Sequence, residues 1–310
     1  MSAVSSYEKL IEDLRAEFRP QRSWGAGRGV FMVIGHFVVG VAAGAWLFAL
    51  LYASRAGLTL AFVLAGLGGI AHLINLGRPE RFWRMMAQPA HSWVSRGFWG
   101  LSLFLIGAFL YLVPQWLAGS PWSGNSLLGQ LGYWLALLGM LILMGYMGFV
   151  YASSKAIPFW NSPLHPALYV AYALRGGVAG LLLVQAFGGQ SLSSFNELLL
   201  WWIGLSAVVV AFFALELHGA WTGGNAAAKR SVQELFAGRM AVAFYGGTLA
   251  LGLAVPAGLV WWGLYGQTSL QAMAVLALAS ALGDFFMKYT TIRAGVHLPV
   301  WTKVAPKRQT

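Results

Sequence analysis

The sequence predicts an all-α integral membrane protein of eight transmembrane helices, with an amphipathic helix at its N-terminus. Three observations carry that prediction. Apolar residues make up 58% of the 310-residue chain and charged ones only 9%, too few to cover a soluble domain. Eight apolar stretches are long enough to cross ~30 Å of hydrocarbon. The Lys and Arg residues fall in alternate connections between those stretches. Inside lipid the backbone must bond to itself, so each stretch is a helix.

Residues 1–29 carry Glu8, Glu12, Asp13 and Glu17 among their basic residues and lack a short apolar core, so they do not read as a signal peptide. Ser5 and Glu8 have capping-box spacing, and Tyr7, Leu10, Ile11, Leu14 and Phe18 share one helical face before Pro20 ends it. That pattern predicts a helix lying on the membrane or against a partner. The membrane domain, residues 30–290, holds apolar stretches from Val30 to Tyr52, Leu58 to Leu76, Gly97 to Trp116 and Leu127 to Tyr151. Four more run from Ala167 to Phe187, Leu198 to Leu217, Ala241 to Trp262 and Leu270 to Phe286. A basic tail, residues 291–310, follows. Small residues recur at close-packing spacing in GVAAG (Gly40, Gly44) and RGGVAG (Gly176, Gly177, Gly180), early in the first and fifth stretches. This echo hints at two related four-helix halves.

Of the twenty Lys and Arg, eighteen lie in the two ends and the second, fourth and sixth connections. Arg55 alone lies on the opposite side, and Arg175 falls inside a stretch. The positive-inside bias therefore puts both ends in the cytoplasm. It also accounts for the net charge of +11 without nucleic acid as a partner. There is no Cys, which excludes disulfides and iron–sulfur clusters held by the chain's own thiolates.

A charged group inside a span costs ~2.5–3.5 kcal/mol or more, so each is a functional candidate. The candidates are His36, His72, Asn75, Arg175, Glu216, His218 and Asp284. With Tyr146 they fall near the starts of outward spans or the ends of inward ones, which predicts that they gather in the cytoplasmic half. Structural roles compete. Asp284 and Lys288, four apart, can neutralise each other. Arg175 can snorkel or pair with Glu216. His72 and His218 are close enough to the boundary to be interfacial. His36 and Glu216 have no such ready explanation. Histidines at similar depth leave a haem b-binding anchor open, and Arg175, Glu216 and Asp284 leave an ion or proton pathway open.

The connection LGRPERFWRMMAQPAHSWVSRG (76–97), with IGHFVVGVAAG (34–44) and IPFWNSPLHP (157–166), resembles the NrfD-like membrane subunits of the polysulfide reductase family. The DMSO reductase anchor subunits are more distantly similar. The resemblance implies eight helices as two four-helix bundles in a bacterial cytoplasmic membrane. It also implies a subunit that reacts with a quinone (menaquinone or ubiquinone) and carries no haem. Its expected partners are a ferredoxin-like four-cluster iron–sulfur subunit and a molybdopterin (Mo or W) catalytic subunit. His36 and Tyr146 stand where the family has a quinone-contacting histidine and tyrosine, and Glu216 where it has a sixth-span carboxylate. The three positions of the DMSO reductase anchor motif are here Asn75, Arg81 and Gly97, and two of them differ. The polysulfide-reductase-like site is thus the one expected, with Asn75 and Arg81 beside it.

These residue types suit the chemistry. Interconverting a quinone and a quinol moves two electrons and two protons, so each ring oxygen needs a partner able to give or take a proton. Histidine and tyrosine do so without fixed charge, and a carboxylate such as Glu216 can pass protons to water. Glu216, His218, Asp284 and Arg175 form a candidate proton route. Arg78, Trp83, Arg84 and Arg96 form a candidate docking face for the cluster-bearing subunit, or an ordinary positive-inside loop with its aromatic belt.

Overall fold

The computed structural model describes Ile11 and residues 18–188, 193–265 and 269–298. Most of the expected N-terminal amphipathic helix, and the tail beyond residue 298, lie outside the described residues. Among those described, eight helices are long and apolar enough to cross a membrane, as the sequence predicts. The first six are α1 (Gly29–Leu51), α2 (Arg55–Asn75), α3 (Trp93–Trp116), α4 (Leu127–Ala152), α5 (His165–Gly188) and α6 (Ser193–Thr222). A short amphipathic helix, α7 (Ala226–Phe236), precedes the last two spans, α8 (residues 241–265) and α9 (Leu270–Ala294). Helix α8 begins as α-helix over Ala241–Ala243, widens to a π-helix over Phe244–Ala254, and returns to α over Val255–Tyr265. The chain is an integral membrane protein.

Local chemistry sets the boundaries. Ser54, Ser92, Ser126 and Ser269 each accept a hydrogen bond from a first-turn N–H of the helix they precede, and Asn225 does the same for α7, satisfying donors that would otherwise be orphaned. Ala53, at φ 48°, turns the chain between α1 and α2. The second connection forms a 3₁₀ helix over Pro79–Met86. It is tied to α3, whose Arg96 donates to the Pro89 and Ala90 carbonyls at 2.8 and 2.9 Å while Trp99 donates to the Met86 carbonyl at 3.1 Å.

Glycines bring the spans together. A Cβ at Gly44 would strike the Ala173 carbonyl, and one at Gly177 would strike the backbone of Gly44, so the GVAAG and RGGVAG segments are the two faces of one α1–α5 contact. Gly252 of α8 and Gly283 of α9 make a second backbone-to-backbone approach. The two ends of the described chain meet on one face: Pro20 bridges Val296, Gln21 N–H bonds Gly295 C=O at 2.9 Å, and His297 N–H bonds Arg19 C=O at 2.9 Å. This is called the basic face below, because the Lys and Arg of the connections gather there.

Candidate functional site

The site begins on α1. His36 follows Gly29 by seven residues and sits one turn before Gly40 on the stripe that meets α5. His72 lies three residues before the end of α2, and Tyr146 six before the end of α4. At about 1.5 Å per residue, all three lie within about 10 Å of the basic ends of their helices. The two imidazoles touch, with ring centroids 4.9 Å apart. Tyr146 Oη is 3.4 Å from His72 Nε2, and Tyr151 Oη is 3.2 Å from His36 Nδ1. Two histidine–tyrosine pairs thus sit side by side where α1, α2 and α4 meet. The seat of Tyr146 is Gly97, where any Cβ would collide with the phenol ring.

Tyr151 is the hub. Fully buried, it packs edge-on against Trp24 (5.3 Å), Trp160 (5.2 Å) and His36 (6.1 Å), and its ring also meets His165 (5.8 Å) and Tyr169 (5.4 Å). His165, the first residue of α5, is bonded through Nδ1 to Glu216 Oε1 at 2.8 Å, both side chains being almost wholly enclosed. Along α5 the residues 165, 169, 172 and 175 repeat at helical spacing and carry His, Tyr, Tyr and Arg. Opposite them α9 presents Ser280, Asp284 and Lys288, four apart. The Lys288 ammonium stands over the Tyr169 and Tyr172 rings at 5.0 and 5.5 Å. Arg175 pairs with Asp284 (Nε–Oδ2 3.4 Å), donates to Ser280 Oγ at 3.2 Å and reaches the Gly252 carbonyl at 2.8 Å. Trp202 of α6 donates to the same Ser280 hydroxyl at 2.7 Å.

The expected residues therefore divide. His36, His72, Tyr146 and Glu216 enter one contiguous polar cluster, and Arg175 and Asp284 form a deeper pair. The expectation that Arg175 pairs with Glu216 is corrected: α5 turns Arg175 toward α9, and Glu216 is taken by His165. His218 is exposed beside Trp221 and Phe236, on a groove between α6 and α7, away from Glu216's buried contact. Asn75 is half-buried at the end of α2, one turn beyond His72, and Arg81 is exposed on the 3₁₀ helix. Arg78, Trp83 and Arg84 are also exposed, whereas Arg96 is occupied with loop carbonyls and lies over the Trp93 ring at 4.2 Å.

Sequence reasoning missed Tyr151, His165, Tyr169 and Tyr172 as site residues. The His–Tyr–Tyr–Arg stripe on α5 was a visible signal, since polar groups at i, i+4, i+7 and i+10 of an apolar helix mark one buried face.

Fold and site together define a polytopic membrane protein with a histidine–tyrosine cluster buried near one membrane face. Within that class the chain belongs to the polysulphide reductase, NrfD, family, whose model matches residues 17–299. It is 26% identical over 223 residues to the C component of the polysulfide reductase of Wolinella succinogenes, covering 65% of this chain and 68% of that one. It is 25% identical over 261 residues to protein NrfD of Escherichia coli, covering 74% and 78%. The match to the C component of the sulfite dehydrogenase of Allochromatium vinosum is 30% identical over 145 residues, covering 44% of this chain and less than half, 42%, of that protein.

Proposed function

We propose that this chain is the quinone-reactive membrane subunit of a molybdopterin oxidoreductase complex in a bacterial cytoplasmic membrane. In this reading it exchanges electrons between the quinone and a ferredoxin-like iron–sulfur subunit held on the basic face. The observation that carries the reading is the pair of adjoining histidine–tyrosine contacts, His72–Tyr146 and His36–Tyr151. The donor set fits a quinone headgroup. Each imidazole gives one nitrogen to a tyrosine, and among the described residues no bond of the second nitrogen is seen. Tyrosine orients each ring, and because its hydroxyl can donate or accept, the other nitrogen is able to give a proton or take one. The quinone supplies the two-electron chemistry. The chain's own residues orient a ring oxygen, hold its proton, and pass it from His36 to Tyr151, whose ring lies against the His165–Glu216 pair.

Several observations support the wider picture. Two of the relatives are named as lettered components of redox enzymes, which implies companion subunits. Arg78, Trp83 and Arg84 stand exposed on the basic face, where one could dock. A haem held between His36 and His72 is disfavoured, because the two rings are in contact at 4.9 Å.

The test uses the assembled complex. His36→Asn and Tyr146→Phe should each cut quinone-linked turnover by at least tenfold while the soluble subunits still react with an artificial dye. Unchanged quinone turnover in both would refute the site.

A further inference from the structure

Buried polar atoms in folded proteins nearly always have hydrogen-bonding partners, and where protein supplies none an ordered water does. The seam between α5 and α9 breaks the first half of that rule repeatedly. His165 Nε2, Tyr169 Oη, Tyr172 Oη, one terminal nitrogen of Arg175 and both carboxylate oxygens of Asp284 are buried with no hydrogen-bond partner among the described residues, although Asp284 Oδ2 is ion-paired with Arg175 Nε at 3.4 Å. Six further such atoms, on Trp46, Gln185, Ser206, Thr248 and Arg293, are dispersed, whereas these six share one seam. His165 opens α5, Tyr169 and Tyr172 follow one and two turns on, and Arg175 and Asp284 each lie ten residues from the basic ends of their helices, about 15 Å deep. Lys288, one turn nearer the basic end of α9 than Asp284, stands over both tyrosine rings. The seam carries two basic groups, Arg175 and Lys288, and the acidic Asp284, all buried.

The row has a mouth and an end. Toward the basic face, His165 and Tyr169 adjoin Tyr151, which packs under Trp24 and Trp160. Those two tryptophans line a surface cavity of about 260 Å³ with Gln21, Ser154 and Lys155. Beyond Arg175 the seam turns apolar, with Val178, Leu181 and Leu182 of α5 and Met273, Leu276 and Ala277 of α9 almost wholly buried.

We propose that the α5–α9 seam holds a file of water joining the basic face to the Arg175–Asp284 pair, a one-sided proton relay with Tyr169, Tyr172 and Lys288 along it. A proton entering at one end moves through the file by exchange. Each water or hydroxyl forms one O–H bond as it breaks another, and no other reactant is consumed. The apolar segment closes the relay to the opposite face, so Asp284 exchanges protons with one side only. This goes beyond the quinone reading and does not require it, because the unsatisfied atoms call for water whether or not a quinone reacts nearby.

Two measurements on the full-length chain in lipid nanodiscs, with no quinone added, test it. In millisecond X-ray radiolysis, hydroxyl radicals made from bound water oxidise the side chains beside them. After correction for intrinsic ring reactivity, Tyr169 and Tyr172 should be oxidised at least fivefold more than Phe48, which is as deeply buried and packs against the Trp201 ring. Equal protection of all three would mean a dry seam and overturn the proposal. On transfer to D₂O, the guanidinium infrared bands of Arg175, isolated by difference against Arg175→Lys, should shift within seconds. Bands still unexchanged after an hour would overturn the relay even if the seam is wet. A dry seam would leave the His36 and Tyr146 test untouched, and failure of that test would leave these results untouched.

Discussion

Gly97 shows how much of the site depends on single atoms. Its missing Cβ is the space that the Tyr146 ring fills, and that ring brings the phenol to His72. Gly97→Val should displace Tyr146, break the 3.4 Å contact, and cut quinone-linked turnover at least tenfold. Ser102→Ala, on the same helix but bonded only to its own backbone, should leave turnover near normal. Comparing the two in the assembled complex, with dye-linked activity as the control for assembly, checks the prediction. The residue scale is also where the sequence was least legible. His36 and Glu216 stood out because a lone ionisable group in an apolar run is costly. His165 and Tyr151 did not, because they sit at span ends, where interfacial histidines and tyrosines are ordinary. Only the fold reveals that the ends of α4 and α5 turn inward against α1. Gly97 read as a departure from the DMSO reductase anchor motif, whereas its use here is to make room.

At the scale of elements, the helices themselves were legible, since length and hydropathy alone decide what can span lipid. Their polar stripes were legible in principle, as with 165–169–172–175 on α5 and 280–284–288 on α9. What periodicity does not give is which stripes face each other. Arg175 had Glu216 as a plausible partner at similar depth, and the π-helical segment of α8, which carries the Gly252 carbonyl to Arg175, has no signature in composition. The amphipathic α7 also went unread. It holds Glu234 between Arg230 (2.9 Å) and Arg239 (2.8 Å). Burial pushes the Glu234 carboxyl up, but hydrogen bonds from Arg239 and the charges of both arginines outweigh it and hold the group below its ordinary value. A group held lower in the folded state contributes its full stabilisation above the unfolded pKa and loses it as pH falls through the folded one. Amide-exchange protection of α7, corrected for intrinsic rates, should therefore stay level from neutral pH to about pH 5 and decline below about pH 4. The arginines are half-exposed, so the change should be about fivefold at most, or about 1 kcal/mol. Glu234→Gln should abolish the pH dependence, and a decline that persists in that variant would assign it to another group.

At the scale of the whole molecule, one asymmetry organises everything else. In the sequence, eighteen of twenty basic residues fall in the two ends and the even-numbered connections, the described ends meet on one face, and the histidine–tyrosine cluster lies within about 10 Å of that face. An even number of spans makes the first two facts consistent with each other. The third follows from function in the proposed reading, since electrons must reach a partner outside the lipid and protons must reach water, and a shallow site shortens both routes. The positive-inside bias predicts that the basic face is cytoplasmic, and the chain is well suited to a direct test because it has no Cys of its own. Ala156→Cys lies exposed on the basic face, and Ser123→Cys lies exposed on the connection between α3 and α4 at the opposite one. A membrane-impermeant maleimide should label Ser123→Cys in intact cells and leave Ala156→Cys unlabelled until the membrane is opened or inverted. The reverse pattern would keep the fold and the cluster but move the basic face, and any partner docked on it, to the outside of the membrane.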